Sequence, residues 1–130
     1  MNIFLNELEI RIHQVLSFRE QNRLTDVNSQ EIALFIHEQA LSFVDLTTQF
    51  LDSCVAESCD NRVTETITTY NRWAADVYTE SFCILTDDYP VDYSQQVIIE
   101  IYDLITKIAS DISDIIPSIR RSSRHVAAAA

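Results

Sequence analysis

The sequence predicts an all-α domain, and three observations carry that prediction. Not one of its 130 residues is glycine, where an average chain of this length would hold roughly nine. Prolines number only two. Apolar residues recur at alternating three- and four-residue steps, the spacing of a single helix face. Without glycine, hairpins closed by Asn-Gly or Asp-Gly turns are excluded. Gly-rich phosphate loops, the dinucleotide fingerprint and the glycine-flanked nucleophile elbow are excluded as well. At 47% hydrophobic residues the chain has enough apolar surface for a core and does not read as disordered. Its length predicts one domain, placed at residues 1–119. A basic tail at 120–130 follows, and its closing alanines, Ala127–Ala130, are given no function.

The first helix is expected from about Asn2 to Gln21, where Leu5, Leu8, Ile12 and Val15 form the apolar stripe. Polar residues Gln21–Ser29 predict a loop, with Asn28 and Glu31 as a capping box for the next helix. That helix carries Ile32, Phe35, Ile36, Phe43, Leu46 and Phe50 and fades near Ser53–Asn61, where Asp60 can cap a new start. Val63–Tyr70 is rich in threonine, which favours a strand. Val63, Ile67, Tyr70 and Ala74 nevertheless keep helical spacing, and a helix is predicted through Trp73, Val77 and Phe82 to about Leu85. Asp87-Asp88-Tyr89-Pro90 is the clearest break, because proline turns the residue before it out of the helical region. Asp92 with Gln95 predicts another capping box. In the last helix Ile98, Ile101, Ile105, Ile108, Ile112 and Ile115 keep a coiled-coil rhythm for under three heptads. A buried bundle helix ending at Pro117 is therefore expected.

Twenty acidic residues against nine basic ones give a net charge of −11, which repels nucleic-acid phosphate. All the acids lie in residues 1–117, while Arg120, Arg121 and Arg124 make the tail basic. Cys54, Cys59 and Cys83 are an odd set, and no signal-peptide pattern opens the chain. Reduced thiols in an intracellular setting are expected. No apolar run reaches the ~18 residues of a membrane span. His13, His37 and His125 fall on separate segments without metal-ligand spacing, and Cys54 and Cys59 do not share a helix face. Asp87 and Asp88 read as solvated loop carboxylates. No catalytic residue, metal site or cofactor is predicted.

Three segments in order resemble the Bcl-2 family of apoptosis regulators. Phe43-Val44-Asp45-Leu46-Thr47-Thr48-Gln49-Phe50 resembles the Phe-Ser-Asp-Leu-Thr-Ser-Gln-Leu stretch ending the second helix of pro-survival members. Tyr70-Asn71-Arg72-Trp73-Ala74-Ala75, with Ser81-Phe82 downstream, is similar to the Asn-Trp-Gly-Arg opening of the family's central helix. Lys107-Ile108-Ala109 leading to Asp114-Ile115-Ile116-Pro117-Ser118-Ile119 is similar to the helix that ends near Leu-Glu-Pro-Trp-Ile. Two departures are local: Ala74 stands at the motif glycine and Ala75 where its arginine is expected. The long loop between the first two helices and a membrane tail are missing, as in the short homologues of large DNA viruses.

The resemblance implies a hydrophobic central helix surrounded by amphipathic helices, acting in the host-cell cytoplasm. It implies an anti-apoptotic protein that sequesters the amphipathic death-motif helix of pro-apoptotic Bcl-2 family proteins in a groove. Carried over by position, that groove takes Phe35, Phe43 and Leu46 from the second helix, and Val63 and Ile67 from the fourth. Trp73, Ala74, Val77 and Phe82 come from the central helix, with Arg72 as the polar clamp on the ligand aspartate. The same residues also suit a plain core, and Arg72 suits a pair with Asp76 four residues on. Two other classes remain open. One is an acidic DNA mimic that inhibits a nucleic-acid-handling enzyme, suggested by nine acids and one lysine in residues 76–117. The other is a helical oligomeric adaptor, suggested by the isoleucine seam, which also admits a homodimer.

Overall fold

The computed structural model describes residues 2–57 and 60–129, with side chains described for residues 3–54 and 60–121. Within them the chain forms four helices: α1 (Asn2–Gln21), α2 (Ser29–Glu57), α3 (Asn61–Leu85) and α4 (Val91–Ala129). Consecutive helices run antiparallel. Phe18 meets Phe35, His37 meets Ser81, and Asp76 and Glu80 lie across from Val97 and Glu100. The ring closes where Arg120 reaches Glu9 and Arg19 reaches Asp103. This is an up-and-down four-helix bundle.

The expected stripes are the buried ones. Leu5, Leu8, Ile12 and Val15 of α1 point inward with Ile32, Ile36, Phe43 and Phe50 of α2 and Ile67, Ala74, Val77 and Ile84 of α3. On α4 the seam from Ile98 to Ile112 is buried, but Ile115 is only half-buried and Ile116 and Ile119 continue the core stripe. A straight helix drifts ~20° per heptad against a strict seven-residue repeat, so the inward position moves by one residue. The isoleucine seam is thus largely used inside the chain's own core.

Threonine does not break the first half of α3. Thr64, Thr66, Thr68 and Thr69 each donate a hydroxyl to the carbonyl four residues earlier, at 2.7–3.3 Å, which satisfies the hydroxyl within the helix. Asp60 caps the start, accepting the Arg62 N–H at 2.9 Å. The two expected capping boxes do not form. Asn28 turns its amide back into the loop, accepting from Thr25 N–H at 2.8 Å and donating to Arg23 O at 2.9 Å. At α4 the helix begins at Val91, so Asp92 lies inside the first turn rather than before it.

Three further expectations are corrected. Pro117 lies inside α4 rather than at its end. Its ring deprives the Ser113 carbonyl of a donor, but Ser113 and Pro117 are both exposed, so water can take that place. Ile116 and Ile119, both buried, hold the segment to the core. The helix carrying Trp73, expected to be surrounded by the others, occupies a corner of the bundle. Among the described residues α3 packs against α2 and α4 and not against α1, leaving one long side in solvent. Val63 and Ile67, placed on a separate helix by the resemblance, are on this same α3, the single helix to Leu85 that their spacing predicts.

Candidate functional site

The structure divides the ten candidate groove residues among four environments. Phe43, Ile67, Ala74 and Val77 are fully buried in the core. Leu46, Val63 and Trp73 are half-buried on its flank, Trp73 standing edge-on to Tyr70 with ring centroids 5.5 Å apart. Phe35 turns to α1, stacked on Phe18 at 3.7 Å. Only Arg72 and Phe82 are exposed. The ten therefore do not line one surface, because interhelical packing uses most of the apolar positions that the resemblance assigned to a groove.

Two of the three segments compared with that family pack side by side. Asn71 of α3 donates its amide to Thr47 Oγ1 at 2.8 Å, Thr48 Oγ1 at 3.0 Å and the Val44 carbonyl at 3.2 Å. Outward from this bond runs the exposed side of α3. Arg72, Ala75, Thr79 and Phe82 follow one another at three- and four-residue steps and share a stripe. Arg72 makes no ion pair or side-chain hydrogen bond among the described residues, so the alternative pairing with Asp76 does not form.

At the other end of the stripe lies an apolar patch. Phe82 is 49% exposed, and on α2 Leu34 is 49% and Leu41 44% exposed. His37, three residues from Leu34 and four from Leu41, sits between them, stacked on Tyr78 at 4.5 Å and 6.3 Å from the Phe82 ring. Ser81 Oγ lies 2.9 Å from the Tyr78 carbonyl and 2.9 Å from His37 Nδ1, within hydrogen-bond reach of both. The contact at Nδ1 fixes the ring and leaves Nε2 directed elsewhere. Arg72 and Phe82 are ten residues apart, which is ~15 Å along a helix. Sequence reasoning missed Leu34, His37, Leu41 and Tyr78. The available signal was the seven-residue step from Leu34 to Leu41, off the main stripe of α2.

A second concave surface lies between α3 and α4. It holds about 190 Å³ over Val77, Val97, Ile101 and Leu104, with Asp76, Glu80 and Glu100 around its edge. Glu80 accepts a hydrogen bond from the Tyr89 hydroxyl at 2.8 Å, and this carboxylate, with Cys83 beside it, holds the Tyr89 phenol above its usual range. Among the described residues no group of three or more His, Cys, Asp or Glu side chains is placed to hold a metal ion. No described helix is long and apolar enough to cross a membrane. Cys54 is buried in the core, Cys83 is half-buried, and Cys59, Arg124 and His125 lie outside the described side chains. No protein-family model, curated protein or solved structure matches this sequence.

Proposed function

We propose that this chain is a binding protein without catalysis that receives an amphipathic helix of a partner along the α2–α3 face. The observation that carries the proposal is the polarity of that face. An apolar patch at Leu34, Leu41 and Phe82 lies ~15 Å from the Arg72 guanidinium, which is unpaired among the described residues, a span of about ten helical residues. Exposed apolar clusters mark interaction sites more often than single exposed residues do. A ligand helix with apolar residues at helical spacing and an acidic residue at one end fits both features. The ligand nominated by the resemblance, the death-motif helix of a pro-apoptotic Bcl-2 family protein in the host cytoplasm, brings apolar residues at helical spacing and an aspartate. In this reading Arg72 stands in for the missing motif arginine, and the charge-assisted bond to the ligand aspartate is made from the edge of α3.

The acidic-decoy reading is weaker on the same surface argument. Of the nine carboxylates in residues 76–117, Asp103 is paired with Arg19 and Asp111 with Lys107, which interrupts the expected patch. The test is calorimetry of the full chain against a panel of death-motif peptides. Binding by at least one peptide is expected, weakened about tenfold by Phe82→Glu and by Arg72→Glu, a loss of ~1.4 kcal/mol. Helical circular dichroism should be unchanged, because both side chains are exposed. Absence of binding by every peptide rejects the death-motif ligand, and unchanged affinity in both variants rejects the α2–α3 face.

A further inference from the structure

We infer that the groove between α3 and α4 is a second docking surface, fitted to a lysine- or arginine-rich helix that presents one large apolar side chain. The inference is separate from the α2–α3 reading, since it rests on the opposite flank of α3. Two properties of the groove define its occupant. The first is the floor of Val77, Val97, Ile101 and Leu104, enclosing about 190 Å³. An engineered cavity of about 150 Å³ accepts a benzene ring, so there is room for one leucine- or phenylalanine-sized group. The second is the sign of the edge. Asp76, Glu80 and Glu100 are the charged residues lining the groove, and all three are acidic. The nearest base along α4, Lys107, is held by Asp111 at 3.0 Å. A ligand with an acidic flank would meet like charge here, whereas a basic flank meets three carboxylates around an apolar seat. Such charge complementarity selects the partner and speeds its encounter.

The single tryptophan reports on this site, because Trp73 lies one helical turn from Val77 on α3. The full chain is titrated with a tryptophan-free amphipathic helix of leucine and lysine while Trp73 fluorescence is followed. Saturable binding is expected. It should weaken about tenfold in the Asp76→Lys/Glu100→Lys double variant and only about twofold in Asp45→Lys/Asp52→Lys, an equal charge change elsewhere. Equal weakening in the two variants overturns the inference, because attraction would then be diffuse. Undiminished binding of a peptide whose leucines are all alanine overturns it too, because the apolar seat would be idle. Sedimentation of the free chain covers a further outcome. A dimer broken by the groove substitutions would put a second copy there and reject the basic helix. Death-motif peptides titrated into the groove variant separate the two surfaces: their binding should persist, and failure of either ligand leaves the other reading standing.

Discussion

Asn71 donates to Thr47 Oγ1 across the α2–α3 interface at 2.8 Å, while Thr47, fully buried, passes its own proton to the Phe43 carbonyl at 2.6 Å. This relay sets the register of the two helices that carry the proposed binding face. Asn71→Leu leaves the Thr47 oxygen short of a donor in a dry place, a cost of ~1–3 kcal/mol. Urea denaturation should show that loss. Combining it with Thr47→Val should destabilise less than the two single changes added, because both act on one bond. Strict additivity would show that the bond carries no coupling.

Asp87 adopts φ 58°, in the left-handed region. Around it Asp88 N–H bonds Cys83 O at 2.9 Å and Asp87 N–H bonds Ile84 O at 3.2 Å, the paired closure of a helix end that usually employs glycine. The absence of glycine from the chain therefore has a structural cost here, at the residue whose Cβ crowds its own backbone. Asp87→Gly should raise stability by ~0.5–1 kcal/mol and the melting temperature by about 2–5 °C. Differential scanning calorimetry checks this, and Asp87→Val should lower the melting temperature.

The helix count, the break at Asp87–Pro90 and the inward stripes were legible because they depend on local spacing and on the backbone limits of proline. Capping was legible only at Asp60. Asn28 has the right side chain, but Thr25 and Arg23 compete for it, and that competition is a matter of loop geometry. Pro117 misleads because the carbonyl it leaves without a donor, that of Ser113, lies on the exposed side of α4 within reach of water. The candidate site was least legible. Spacing says that Phe43, Phe35 and Phe82 each face away from solvent on some side of a helix, but not which neighbour covers each one. The structure buries the first, stacks the second on α1 and exposes the third.

That burial changes what a charge substitution reports. Phe43 and Ala74 are both fully buried, so Phe43→Glu or Ala74→Glu puts a carboxylate in the core without a partner. Both variants should lose cooperative thermal unfolding and bind the dye ANS, with far-ultraviolet helicity reduced. Phe43→Ala, which removes only volume, should cost ~3–5 kcal/mol. If Ala74→Glu melts like the parent chain, α3 does not pack at this position.

Tyrosines make the fold sensitive to alkali. Tyr89 is held above its usual value of 10.0 chiefly by the hydrogen bond to Glu80 and then by Cys83. Tyr70 is raised by burial and next by Asp111, and Tyr102 by burial against the opposing effect of Arg19, which stacks over its ring at 4.1 Å. In each case the folded state keeps a proton that the unfolded chain releases near pH 10. Stability from these groups is thus complete below the unfolded value and declines as pH rises past it. Urea midpoints should be flat from pH 7 to about 9 and fall beyond about 10. Tyr89→Phe should reduce the slope of that fall, since one proton-retaining group is gone, and so should Tyr70→Phe. A midpoint that stays level to about pH 11 would mean that these phenols titrate alike in the folded and unfolded chains.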